Sequence, residues 1–118
     1  MAITFEKLQT QRAVRKKQLE HALEGIIQQL KELGALRIIV FGSFASGVIK
    51  RWSDLDILAI MPSTRDGKEW FREIHDKVDT EVPADILPFT EEELKTKIET
   101  SSFIRHAVKT GRVIYDKG

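Results

Sequence analysis

Arg37-Ile-Ile-Val-Phe-Gly-Ser-Phe-Ala-Ser-Gly-Val-Ile-Lys-Arg-Trp-Ser-Asp-Leu-Asp-Ile-Leu-Ala-Ile-Met61 is the stretch on which the reading of this chain turns. It begins as an apolar, β-branched run over Leu36–Phe41, the pattern of a strand buried on both faces. Gly42-Ser43 then breaks the run, and Ser43 to Val48 reads as a short turn or helix. A second apolar run starts with two aspartates one residue apart. Side chains at i and i+2 of a strand share a face, which sets Asp54 beside Asp56. Leu55, Ile57, Ala59 and Met61 fall on the opposite face, suited to a core. Two neighbouring carboxylates repel unless a proton or a cation lies between them, so the pair is a candidate metal site.

Gly42 and Ser43 complement that pair. A glycine after a strand permits a tight turn and close backbone approach to a ligand. A serine opening a helical turn adds a hydroxyl beside free backbone N–H groups, a common way to hold phosphate. Two hard-cation ligands near a phosphate cradle suggest Mg²⁺-assisted phosphoryl or nucleotidyl transfer.

Gly-Ser, ten intervening residues and Asp-x-Asp together resemble the signature of the DNA polymerase beta-like nucleotidyltransferase superfamily. The compact form Gly42-Ser43-Phe44-Ala45-Ser46-Gly47 … Ser53-Asp54-Leu55-Asp56 is similar to the minimal nucleotidyltransferases (MNT). The resemblance spans most of the chain, from the helix before the motif to the last strand. It implies an α/β (α+β) fold: a small mixed β-sheet with helices packed on it, like the catalytic palm of those enzymes. It also implies a third acid on a strand beside Asp54 and Asp56. Asp85 fits, because Asp85-Ile-Leu echoes Asp56-Ile-Leu; Asp79 and Glu81 are rivals nearer the preceding turn.

The implied reaction transfers a nucleoside monophosphate, AMP from ATP, to an acceptor nucleophile and releases pyrophosphate. Asp54, Asp56 and Asp85 are the implied catalytic acids and ligands of two Mg²⁺ ions. Gly42 and Ser43 are the implied nucleotide-binding residues. Relatives often carry an arginine where Ser46 stands, and some where Phe44 stands; neither position is basic here. Lys50 and Arg51 are the candidates to supply that charge to the nucleotide. Minimal nucleotidyltransferases are commonly paired with a small helical HEPN protein, which implies a HEPN toxin partner, modified on a tyrosine, with this chain as antitoxin. Two alternatives stay open: a partner-binding module with weak or lost catalysis, and a transferase acting on a small-molecule acceptor.

Composition narrows the classes further. The chain has 118 residues, 42% hydrophobic and 31% charged, with a formal net charge of +1. Residues 1–118 are expected to form a single domain with one core. The balanced charge gives no field favouring nucleic acid or membrane, and a palm of this length leaves no thumb to track a strand. Cysteine is absent, which excludes disulfides and thiolate chemistry. No apolar run is long enough to span a bilayer and no signal peptide is legible, so a cytoplasmic location is expected.

Around the motif, Thr4 to Leu33 reads as a helix. Leu19, Leu23, Ile26, Ile27, Leu30 and Leu33 form an apolar stripe, and Gly34 is placed to end it. Its first half carries Arg12, Arg15, Lys16 and Lys17, read as a solvated face or as a surface that touches phosphate or docks an acidic partner. Asp66 with Glu69 forms a capping box for a helix to about Lys77 with Trp70, Phe71 and Ile74 on its buried side. Trp70 at that spacing reads as core rather than as a base-stacking ring. Glu81 to Pro88 reads as a strand entered at an edge by Pro83. Thr90 and Glu93 cap a helix through Leu94 and Ile98, interrupted at Thr100–Ser102. Phe103, Ile104, Ala107 and Val108 continue the apolar stripe to Gly111, and Arg112 to Tyr115 reads as a final strand. His21, His75 and His106 are scattered, without ligand spacing.

Overall fold

A computed structural model describes residues 4–49 and 54–118. In chain order the elements are α1 (Phe5–Glu32), β1 (Arg37–Phe41), α2 (Gly42–Ser46), β2 (Leu55–Ile60), α3 (Gly67–Lys77), β3 (Ala84–Phe89), α4 (Glu91–Thr100), α5 (Ser102–Thr110) and β4 (Arg112–Asp116). Lys50 and Arg51 lie outside the described residues.

The strands form one mixed sheet in the order β3-β2-β1-β4. β1 pairs antiparallel with β2 and with β4, while β2 and β3 run parallel. A parallel pair needs a crossover, and α3 supplies it. Its capping box is complete: Glu69 N–H donates to Asp66 Oδ1 at 2.8 Å, and Asp66 N–H to Glu69 Oε1 at 3.3 Å. The same device starts α4, with Thr90 and Glu93 reciprocally bonded. Ser101 restarts the helix as α5, its Oγ accepting from Ile104 N–H at 3.3 Å. Gly34, at φ 101°, closes α1. Its N–H donates to Lys31 O and that of Ala35 to Leu30 O, each at 3.0 Å, which satisfies two helix-end carbonyls.

The sheet is covered on both faces. Beneath it α1 and α3 bring Leu19, Leu23, Ile26, Leu30, Trp70 and Ile74 against Ile38, Leu55, Ile57 and Ala59. Above it α4 and α5 bring Leu94, Ile104 and Ala107 against Ile39, Phe41, Leu58 and Ile60. The continuous apolar character of β1 thus reflects burial on both sides, and the period of two in β2 sorts its residues as expected. Trp70 is core, its indole N–H donating to Pro62 O at 2.8 Å.

Three expectations need correction. Phe71 is half exposed rather than on the buried side of α3, because Trp70 and Ile74 already occupy the stripe that meets the sheet. Phe103 is 60% exposed; Ile104 and Ala107 fill the core-facing side of α5. The third strand begins at Ala84, not Glu81. Pro83 has no N–H to donate, and it joins β2 only through its carbonyl, which accepts from Leu55 N–H at 3.2 Å.

α1 outruns the sheet. At 28 residues it is about 42 Å long, within a molecule 53 Å in its longest dimension. Its buried residues begin only at Leu19. The basic first half therefore projects past the core, towards the end of the sheet where the motif lies.

Candidate active site

β1 ends at Phe41, and the chain turns at Gly42 with φ 75°. That left-handed conformation favours glycine, and space demands it as well. A Cβ on Gly42 would overlap Oδ2 of Asp56. The turn and the carboxylate are in van der Waals contact because Phe41 stands opposite Asp56 in the β1–β2 register. α2 follows with no side-chain cap on its first N–H groups and ends at Gly47, φ 81°. Ser43 is half-buried in its first turn, and the hydroxyl of Ser46 donates back to Ser43 O at 3.1 Å.

Asp56 is paired on its other side with Asp85 in the β2–β3 register, so the two carboxylates leave the same face of neighbouring strands. Asp54, two residues earlier, is exposed at the mouth of β2. The acidity of Asp56 records this setting. Its carboxyl is pushed above its ordinary 3.8, first by burial, then by Asp85, then by Asp54. The two rival acids have other partners: Glu81 lies 3.6 Å from His21, and the backbone of Asp79 is held by Gln29 through two 2.9 Å bonds.

The donor set suits a hard divalent cation: three carboxylates, all oxygen, whose mutual repulsion a cation would relieve. Among the described residues no three Asp, Glu, His or Cys groups converge on one point as a ready-made metal cage. The acids are neighbours that rotation of their side chains would have to gather.

Two further elements border the site. From α1, Arg15 Nη2 lies 3.9 Å from Asp54 Oδ1, with only 16% of the arginine side chain exposed. Arg12 and Lys16 line a cavity of about 420 Å³ with Gly47, Val48 and Ile49, the segment after α2. The basic half-helix thus borders the segment that follows α2, the helix in which Phe44 and Ser46 stand where relatives carry arginine. From α5, Phe103, His106, Ala107 and Thr110 line a second cavity, about 460 Å³, with Phe41, Gly42, Ser46 and Asp56. A larger hollow of about 750 Å³ between α3 and α4 contains none of the three acids.

A mixed sheet with an acid pair across adjacent parallel strands, beside a Gly-Ser turn, defines a nucleotidyltransferase-type α/β domain. Residues 23–111 match the nucleotidyltransferase domain family, and the chain belongs to it as a minimal nucleotidyltransferase. Its reaction class is transfer of a nucleotidyl group. A similar solved structure is described as "Crystal structure of the toxin-antitoxin with AMP-PNP". It is 22% identical, with a TM-score of 0.51, covering 79% of this chain and 72% of that one; the likeness is one of fold. No curated protein matches. Among the described residues no helix is long and apolar enough to cross a membrane.

Proposed function

We propose that this chain is a Mg²⁺-dependent nucleotidyltransferase that moves AMP from ATP to an acceptor hydroxyl, a tyrosine of a HEPN-type toxin, and so acts as its antitoxin. The observation that carries this reading is the contact of Asp56 with the Gly42 turn on one side and its pairing with Asp85 on the other. It sets the acids immediately beside the loop suited to phosphate. Asp54, Asp56 and Asp85 would hold the Mg²⁺, which supplies positive charge to oxygens that become more negative during transfer.

The chain's own part follows from placement. Gly42 lets the backbone approach the phosphates, and the Ser43 hydroxyl donates a hydrogen bond to the departing pyrophosphate. α2 is only five residues long, so its contribution is that of individual N–H groups rather than of a helix dipole. Arg12, Arg15 and Lys16 supply the charge that the loop lacks. The acceptor oxygen bonds to the α phosphorus as the bond to the bridging oxygen breaks, and Asp85 favours loss of the acceptor's proton. The added phosphate places bulk and negative charge on the partner. The similar toxin–antitoxin structure with AMP-PNP supports both a nucleotide ligand and a protein partner for this chain.

A second reading, a binding module with weak catalysis, draws on one observation: Arg15 already lies 3.9 Å from Asp54, one of the three acids. Incubation with ATP, Mg²⁺ and the protein encoded beside it separates the two. Intact mass spectrometry should show added AMP masses on that protein with the wild type and none with the Asp54→Asn/Asp56→Asn variant. Tight association without any added mass would replace the transferase by the binding module. Ser43→Ala should slow transfer at least about tenfold, from a lost hydrogen bond to a charged group; unchanged kinetics would reduce Ser43 to a turn residue.

A further inference from the structure

The candidate site has two chemically different flanks, and the proposed triphosphate has two chemically different ends. On the α1 flank stand cations: Arg15 beside Asp54, with Arg12 and Lys16 lining the segment after α2. On the α5 flank lies the cavity of about 460 Å³, a volume in the range of small-molecule sites. It shares Gly42, Ser46 and Asp56 with the proposed phosphate and metal site, and its other lining is Phe41, Phe103, His106, Ala107 and Thr110.

Phe103 is the telling residue. It is 60% exposed at a position where the core has no use for it, yet it is not loose. Its ring and that of Phe41 form a T-shaped pair with centroids 5.8 Å apart and planes at 80°. That contact holds the ring while most of the residue stays exposed. His106, one turn along α5 and on the same side, adds a polar ring, and the hydroxyl of Thr110 is occupied by the His106 carbonyl at 2.8 Å.

We propose that this cavity receives the nucleoside end of the substrate, with Phe103 as the stacking platform for the base. Resting on the nucleotidyltransferase reading, it divides the ligand by chemistry: anionic phosphates towards α1, the flat base towards α5. A π-face accepts any base, so Phe103 would contribute affinity without choosing among bases. Polar selection, where it exists, would fall to His106.

The test compares two probes on the full chain by calorimetry: Mg²⁺ with AMP-PNP, and Mg²⁺ with inorganic triphosphate, which has no nucleoside. Phe103→Ala should weaken AMP-PNP binding by roughly tenfold and leave triphosphate binding unchanged, while Phe103→Trp restores AMP-PNP affinity. Since Phe103 is exposed, its loss should not unfold the chain, and circular dichroism checks this. If Phe103→Ala binds AMP-PNP as well as wild type while Ser43→Ala does not, the base lies elsewhere and the transferase reading survives. Equal weakening of both probes would also overturn the assignment, because Phe103 would then be shaping the phosphate site. If wild type binds neither probe, both the assignment and the reading beneath it fail.

Discussion

The two faces of β2 are built from one strand and do opposite work. Leu55, Ile57, Ala59 and Met61 face α1 and α3, and every one of them is fully buried. On the other face the strand changes character along its length. Leu58 and Ile60 are sealed under α4 and α5, whereas Asp56 is half-covered and Asp54 is exposed. One face is apolar from end to end and secures the strand. The other trades burial for charge at its mouth, where α2 and α5 leave a cavity. Burial and charge are interleaved at single-residue spacing here, because the strand's period of two lets adjacent residues answer to different demands.

Substitution of two consecutive residues should separate them. Asp56→Asn should abolish Mg²⁺-dependent binding of AMP-PNP, or any transfer, through loss of several kcal/mol of metal-mediated stabilisation, with the fold retained. Ile57→Ala removes a buried side chain and should cost about 2–5 kcal/mol of stability, a fall in Tm on the order of 10 °C, while whatever stays folded binds nucleotide normally. Thermal melts beside calorimetric titrations read both. Loss of binding in folded Ile57→Ala, or a large drop in Tm for Asp56→Asn, would break the division between faces.

Gly42 sits where the two demands meet, and its substitution should give an intermediate result. Alanine there must adopt φ 75°, at about 1–2 kcal/mol, and its methyl must displace the Asp56 carboxylate. Gly42→Ala should therefore lose a modest part of its stability in urea titrations and most of its Mg²⁺-dependent nucleotide affinity. Full affinity with reduced stability would mean that Asp56 can move without consequence.

Much of this division is legible in the chain. The alternation from Asp54 to Met61 sorts β2 by face, both capping boxes are local patterns of four residues, and Asp85, the acid that the resemblance implies, stands opposite Asp56 in the β2–β3 register. What stays hidden are contacts between residues far apart in sequence. Arg15 reads as one charge in a basic cluster, solvated or turned to phosphate, until α1 is laid beside Asp54. Phe103 reads as part of an apolar stripe, since helical period cannot tell a core position from the lip of a cavity one step around the helix. His106 has no ligand spacing because its neighbours in the cavity come from β1, α2 and β2. A helix whose apolar stripe stops at Leu19 while its basic residues continue is the available signal that α1 does more than cover the sheet.

The smallest expected effect concerns pH, and it bears on the charged face alone. In the folded chain burial and the two neighbouring aspartates raise the Asp56 carboxyl above its ordinary 3.8, so the native state holds that proton more tightly than the unfolded chain does. Below the ordinary value both states are protonated and Asp56 costs nothing. As pH climbs past it, the unfolded chain ionises first, and the penalty on folding grows until the native carboxyl has also ionised. The Asp56→Asn variant carries no such penalty. The stability of wild type relative to that variant should therefore decline between about pH 4 and neutrality, with the shared contribution of the other carboxylates largely cancelling in the difference. Urea titrations of both proteins at about pH 4 and about pH 7, free of divalent metal, read it directly. Added Mg²⁺ at neutral pH should restore wild type preferentially, since a bound cation removes the repulsion that Asp85 and Asp54 impose. A difference that does not change with pH would mean that water already screens the three acids from one another, and that the face needs no cation to be stable.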